Sequence, residues 1–236
     1  MRAWLWVGVL IVLAAAVGVA CGGGGGGGGE AEPTPDRPTL EAMLTEISLK
    51  AEDLPSGFGE PEEAFSDNEE AVVIDPEGPT QGLERLNGWH RLLGMDATFM
   101  ASDLFGAFQS GGNALIRTSV SIFADEQGAT EALQWGRDLL SKPDGAATLI
   151  PGVSELDGGA ISFPTVGDET VASEFTGIFR AEDFQIDVPF TARIVAIRHG
   201  RGEAHLAVAA IGGAKPGAEV EELIRILDER LGQALD

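Results

Sequence analysis

Val188-Pro-Phe-Thr-Ala-Arg-Ile-Val-Ala-Ile-Arg198, then His199-Gly200-Arg201-Gly202, then Ala204-His-Leu-Ala-Val-Ala-Ala-Ile211 decide the fold. Two β-branched, apolar runs flank a tight, glycine-containing turn, which is the pattern of a β-hairpin. Upstream, Ala114 to Ala124 alternates cleanly. Ile116, Thr118, Val120 and Ile122 share one face, and Arg117, Ser119 and Ser121 share the other. That period of two marks a half-buried strand. Thr98 to Phe108 reads as its hairpin partner across the Ser110-Gly-Gly-Asn113 turn. Val171, Phe175 and Phe179 give a further strand after the Gly167-Asp168 turn, and Ile161 to Phe163 a short one.

Helical spacing appears between these strands. Leu40, Met43, Leu44 and Ile47 recur at three and four residues behind a Thr39 N-cap, and the helix ends before Asp53-Leu-Pro-Ser-Gly-Phe58. Leu83, Leu86, Trp89 and Leu93 place a helix over Gly82 to Met95. Asp125 caps a helix running to Ser141, with Ala129, Leu133 and Leu140 inward and Pro143 as its stop. Val220, Leu223, Leu227 and Leu231 form the stripe of a closing helix over Ala218 to Leu231. Glu60 to Glu70 and Pro151 to Gly159 read as loops, and Ala71 to Ile74 as a short strand. Strands that come in hairpins, interrupted irregularly by helices, predict an α+β fold with a mainly antiparallel sheet and helices packed on one face.

The N-terminus predicts an address. Met1 to Ala20 carries one charge, Arg2, then an unbroken apolar run from Ala3, then the small residues Gly18, Val19 and Ala20 before Cys21. A charged start, an apolar middle and a small-residue end make a secretory signal. The only cysteine of the chain stands immediately after it. A signal cut before cysteine resembles the bacterial lipobox, in which that cysteine is acylated and becomes the mature N-terminus. Gly18 departs from the aliphatic residue usual at that place. An uncleaved membrane helix, since eighteen apolar residues just suffice to span a bilayer, and cleaved soluble secretion are the competing readings. Gly22 to Gly29 is a run of eight glycines, and Pro33, Pro35 and Pro38 follow. Residues 21–39 therefore read as a lipidated cysteine on a flexible stalk, and 40–236 as one extracytoplasmic domain.

The chain has 236 residues and a formal charge of −23. Between Glu30 and Thr80 stand fifteen acids against two bases, Arg37 and Lys50. Such a chain repels nucleic acid and anionic head groups, so its membrane partner enters through the lipid on Cys21. Its acidity suits a soluble, monomeric exported domain.

The residues that carry chemistry are sparse. His199 and His205 flank the hairpin turn and, with Glu203 or Asp183, make a weak metal-site candidate beside the plainer reading of turn and strand residues. His90 reads as a helix-flank residue. Glu62-Glu63 and Asp67-Asn68-Glu69-Glu70 lack the spacing of a calcium loop. Arg180, Arg193, Arg198 and Arg201 are either a local anion patch or cross-strand partners of Glu174, Asp183, Asp187 and Glu203. No His-Glu-x-x-His, Gly-x-Ser-x-Gly or dinucleotide fingerprint occurs. The expectation is a non-enzyme without a cofactor: a binding or sensor-like module for a ligand or an envelope protein. A pocket would lie between sheet and helices near Trp89, Phe99, Trp135 and Phe175. An envelope hydrolase using paired carboxylates, or a lipid or glycolipid carrier with a large apolar cavity, are the alternatives.

Asp53-Leu-Pro-Ser-Gly-Phe58 after an opening helix, Val166-Gly-Asp-Glu169 before a strand, and Ile197-Arg-His-Gly200 before the last hairpin together resemble bacterial lipoproteins with a single extracytoplasmic α+β domain. More faintly, they are similar to extracellular sensor-type domains of actinobacterial envelope proteins. The resemblance implies a fold and an address. It implies no catalytic residues.

Overall fold

A computed structural model of the chain describes residues 34–72, 77–149, 153–181 and 186–235. The leader, Cys21 and most of the stalk lie outside the described residues.

The decisive hairpin forms as read. Strands β6 (Ile186–His199) and β7 (Gly202–Ile211) pair antiparallel, with Arg198 opposite Glu203 and His199 opposite Gly202. Gly200, at φ +53°, takes the first central position of the two-residue turn, where a Cβ would be strained. Around the hairpin lie β1 (Glu62–Ser66), β2 (Arg91–Met100), β3 (Gly112–Phe123), β4 (Val153–Ala160) and β5 (Glu169–Ala181). All pair antiparallel in one seven-stranded sheet of order β1-β2-β3-β7-β6-β5-β4.

The larger core lies on one face. Helices α1 (Arg37–Ile47) and α7 (Glu219–Leu235) lie side by side there, burying Leu40, Leu44 and Ile47 from one and Val220, Leu223, Leu227 and Leu231 from the other. The sheet answers with Phe99, Ile116, Val120, Ile122, Val195, Ile197, Leu206 and Val208, all buried in the same cluster. The single polar pair in this layer, Ser48 and Thr118, satisfies itself with a 3.3 Å hydroxyl contact. At the rim, Arg230 of α7 forks onto both oxygens of Asp53, at 2.8 and 2.9 Å, and donates to the Ser48 carbonyl. The turn that reads so clearly at Asp53 to Phe58 is thus clamped to the last helix.

The expected helical layer is therefore α1 with α7, and a second covers the opposite face. Helix α5 (Glu126–Leu140) starts at Asp125, whose carboxylate accepts from Gly128 N at 2.8 Å. It buries Leu133 on Val171 and Ala196, and Leu140 on Phe175 and Ile194. Pro143 does not merely stop this helix. It opens α6 (Pro143–Leu149), because proline at a first helical position loses nothing. Gly128 lets α5 approach the preceding chain closely: a Cβ there would meet the Trp89 carbonyl oxygen at 1.8 Å.

Several elements differ from the sequence reading. The helix expected over 82–95 is α3 (Pro79–Gly88), and the chain then turns through His90 at φ +55° into β2. Leu93 continues a helical spacing, but it also begins the alternation Leu93, Met95, Ala97, Phe99, and the four are buried at every second residue. Burial on the pleated face wins. The strand expected to reach Phe108 ends at Met100, because Asp103 caps α4 (Leu104–Ser110) by accepting from Gly106 N at 2.8 Å. So β2 and β3 pair as expected, joined by a helix rather than a bare turn. The acidic stretch Glu60 to Glu70 is not a loop. It forms edge strand β1 and then α2 (Asn68–Ala71), capped reciprocally by Asp67 and Glu70. Ala71 closes that helix rather than opening a strand, and Val73 and Ile74 lie outside the described residues. The segment 153–160 is edge strand β4, whereas Ile161 to Phe163 runs beside the ladder with one bond, Ile161 N to Ala172 O. The cap of α1 is Asp36, which accepts from Thr39 N, one turn before the expected start.

Two substitutions test this packing. Gly128→Ala should destabilise by about 1–3 kcal/mol, since the clash is with backbone that has nowhere to go. That corresponds to a thermal midpoint lowered by roughly 3–10 °C. Gly94→Ala should act similarly, because a Cβ there would lie 1.8 Å from Nη2 of Arg91, whose guanidinium is held by four hydrogen bonds. A midpoint within a degree of wild type for either variant, by calorimetry, would remove the close approach from the account.

Candidate functional site

Among the described residues, a concavity sits where β2 ends and β3 begins. Phe58 bridges to Ala101, and Ser102 ties back to Gly57 through both its N–H (2.8 Å) and its hydroxyl (2.9 Å). The Gly57 turn, at φ +104°, forms one wall and α4 the other. Asn113 on β3 lies at the floor, and its amide donates to Glu219 of α7 at 2.7 Å. The cleft between these walls is open to solvent and holds a space of about 670 Å³.

Its lining is evenly polar and apolar, and nearly uncharged. Ser56, Ser102, Ser110, Gln109 and Asn113 supply hydroxyls and amides, and Phe58 supplies an aromatic ring. Asp103 is the one ionic side chain, and it is already engaged as the cap of α4. Burial pushes the neighbouring Glu219 carboxyl up, but the bonds from Asn113 and the Gly217 N–H more than offset it and hold it below its ordinary range. On the outer turn of α4, Leu104 and Phe105 are 41% and 69% exposed. Neither belongs to the cleft lining, and single exposed apolar side chains are ordinary on a protein surface.

The residues expected at a pocket are distributed differently. Trp89 and Trp135 do meet, with ring centroids 5.9 Å apart, and the Arg85 guanidinium lies 4.3 Å from one ring and 5.6 Å from the other. This is a packed cation–π cluster between α3 and α5. Phe99 is buried on the opposite face, under α1 and α7. Phe175 is buried beneath α5 and α6. The four do not converge on one space. The cleft itself was missed at the sequence level because its second wall, α4, was read as strand.

The histidines also part company. His199 Nδ1 lies 2.8 Å from Asp228 on the α7 face, and His205 Nε2 lies 2.8 Å from Glu203 on the α5 face. They do not form a joint site with each other, and Asp183 lies outside the described residues. His90 sits exposed against Asp125 at 3.2 Å. Among the described residues, no group of three or more His, Cys, Asp and Glu is arranged to hold a metal. The arginines among the later strands are paired: Arg193 with its cross-strand neighbour Glu174 at 2.6 Å, and Arg198 with Asp168 at 3.0 Å. Arg201 reaches the Phe123 carbonyl.

The second face does hold one polar cluster. Glu203 is 5% exposed, and the half-buried Arg91 donates to Ser66, Asn68 and Ser121. Burial opposes the charge on His205, but the Glu203 carboxylate outweighs it, helped by Asp96 and opposed by Arg117, so the imidazole titrates above its ordinary value. Burial likewise lowers Arg91, against Asp96 and Glu203. The arrangement is an ion pair under α5.

Comparisons with known proteins add a fold likeness. The chain is similar to the extracellular domain of PknH from Mycobacterium tuberculosis, at 11% identity and a TM-score of 0.44, covering 81% of this chain and 96% of that one. No protein-family model and no curated protein sequence matches.

The His205–Glu203 pair predicts a pH dependence with a definite sign. A histidine raised by folding stabilises fully below its unfolded value, near 6.5, and loses that contribution as pH climbs through the higher folded value. The urea midpoint should therefore fall across that window in the wild type, and His205→Gln should flatten the fall. Parallel profiles for the two proteins would mean the pair contributes nothing to folding.

Proposed function

We propose that this chain is a lipid-anchored, extracytoplasmic binding module that takes its ligand in the cleft between the Gly57 turn and α4. The observation that carries the reading is the cleft itself: a 670 Å³ space at one end of the sheet, walled by the Gly57 turn and the short helix α4. The address rests on the order of the N-terminal signals: an apolar leader, Cys21, eight glycines and a proline-spaced stalk. Eighteen flexible residues give a stalk of roughly 25 Å, enough to hold an acidic domain clear of anionic head groups.

The geometry favours this assignment over its rivals. Arg37 at the start of α1 stands 3.8 Å from Asp67, beside the beginning of β2, whereas the cleft lies beyond its end. From Gly94 to Met100 alone is about 20 Å of strand. A tether entering near Asp67 therefore leaves the cleft at the far end of the domain. A lipid carrier needs a large cavity lined by Phe, Leu and Ile, and the lining here is Ser, Gly, Ala, Gln and Asn around a single ring. A carboxylate hydrolase needs two converging acids, and this lining offers Asp103 alone.

Two measurements test the proposal. Cys21→Ser should move the full chain out of the membrane fraction, and the native mature form should begin at an acylated Cys21 by mass spectrometry. An intact Met1 on an unacylated native chain would end the lipid-anchor reading. For the cleft, a small-molecule extract of the host envelope should raise the thermal midpoint of the full chain. Ligand at a hundred times its Kd supplies about 2.7 kcal/mol, hence a rise of roughly 5–10 °C. Ser56→Trp, placed on an exposed wall of the cleft, should abolish that rise. A rise that survives Ser56→Trp would put the ligand elsewhere.

A further inference from the structure

We infer that the ligand of this cleft is an uncharged, polyhydroxylated molecule, a segment of neutral glycan, which rests on the binding reading above and adds its chemistry. Charge comes first. The chain carries −23 overall, with 22% of its residues charged, yet the cleft lining holds only one charged side chain. An anionic ligand would meet the negative field of the whole protein without a basic partner in the lining. A cationic ligand would find a single carboxylate, that of Asp103, already accepting from Gly106 N at the start of α4. A neutral ligand pays neither cost.

Hydrogen-bonding capacity comes second. Ser56, Ser102 and Ser110 carry hydroxyls, and Gln109 and Asn113 carry amides. Ser56 and Gln109 both donate and accept; the Ser102 and Ser110 hydroxyls already donate to the Gly57 and Gly106 carbonyls and keep their lone pairs, and Asn113 keeps one amide N–H beside its bond to Glu219. Sugar hydroxyls donate and accept alike, so they can meet the lone pairs and N–H groups that remain. An apolar ligand would instead bury these groups unpaired, at about 1–3 kcal/mol for each.

Shape and apolar surface come third. Phe58 is half-buried in the cleft wall. A pyranose ring presents C–H groups on one face and hydroxyls at its edge. An aromatic ring beside hydroxyl and amide groups matches both surfaces at once. The cleft is open at its rim rather than sealed, which suits a segment of a longer chain. The exposure of Gln109 and Ser56 on opposite walls means both can be replaced without disturbing the core.

Ligand-observed saturation-transfer NMR on the full chain in lipid nanodiscs tests the inference. The probes are maltotriose, cellotriose and chitotriose as neutral sugars, trigalacturonate as a charged sugar, and acetyl-trialanine amide as a neutral ligand without hydroxyls. At least one neutral trisaccharide should receive saturation, strongest on its ring C–H protons. Gln109→Trp and Ser56→Trp should each abolish it, and Gln109→Ala should weaken binding about tenfold. Trigalacturonate should show at least tenfold weaker binding than the neutral sugars. No transfer to any neutral sugar, or transfer unchanged in both Trp variants, would overturn the inference. Cleft-dependent binding of the peptide or of trigalacturonate in place of the neutral sugars would overturn the glycan assignment while leaving the binding reading standing. If no probe binds and the envelope-extract shift is also absent, both fail together.

Discussion

The structure depends on burying one face of β3 and β7 and both faces of β6. Ile116, Val120 and Ile122, Leu206 and Val208, and Val195 and Ile197 point toward α1 and α7. Ile194, Ala196 and Ala207 point the other way, toward α5 and α6. A strand with one apolar face needs one covering layer; β6 needs two. At about 25 cal/mol per Å² of apolar surface removed from water, neither layer is dispensable. That requirement brings the last helix back onto the first and places α5 across the middle of the chain. The edge strands are freed from it, which is why acidic β1 can lie open to solvent.

Burial on two faces also explains where polar groups are tolerated. Among the described residues most buried polar groups of the sheet have a partner built in, Arg198 Nε excepted. Ser48 and Thr118 satisfy each other, Ser173 donates to the Leu140 carbonyl at the end of α5, and Glu203 holds His205. Polar groups without such a partner are displaced to the ends of the strands, where chain reversals expose backbone and short side chains. The cleft is one such end. Its floor is tied to the core through Asn113 and Glu219, so the site rests on α7 rather than on the loop alone. A concave surface carried on a rigid floor, with only the Gly57 turn and α4 as movable walls, is pre-organised in the sense that favours binding.

Much of the fold was legible in the sequence. The β6–β7 hairpin, the face of β3 and the stripes of α1, α5 and α7 were readable because their periodicities run for ten residues or more. Misreadings cluster where two periodicities share residues or where a cap outweighs hydrophobic pattern. Leu93 fits the stripe of α3 and the alternation of β2 alike, and only burial decides between them. Asp103 ends a strand and starts a helix through one hydrogen bond, although Phe105 and Phe108 continue an apolar spacing. Glu62 and Glu63 form a strand although their composition argues for a loop, because edge pairing with β2 supplies the backbone bonds and leaves the charges in water. Gly158 and Gly159, at φ +135° and +158°, sit inside β4 beside the irregular register at Ser154 to Asp157. Glycines of that kind disguise a strand as a loop.

The site was the least legible part, for a physical reason. Aromatic residues attract attention as ligand platforms, and the sequence offers Trp89, Phe99, Trp135 and Phe175. Large rings are also what a core most readily uses, and Phe99 and Phe175 are fully buried on opposite faces. Trp89 and Trp135 are held by Arg85, whose guanidinium takes the cation position such a pair could offer a ligand. The ring that stands free, Phe105, escaped notice because it sits in a seven-residue helix with no stripe to announce it. A cleft built from serines, amides and glycines leaves almost no periodic trace, since its residues are chosen for what they leave open rather than for what they fill. The useful signal is an inverse one. In a chain this acidic, Leu104 to Gly112 (Leu-Phe-Gly-Ala-Phe-Gln-Ser-Gly-Gly) carries no charge at all. Such runs recur in the chain, as at Gly158 to Val166, so this signal narrows the search for a neutral contact surface to a few segments rather than to one.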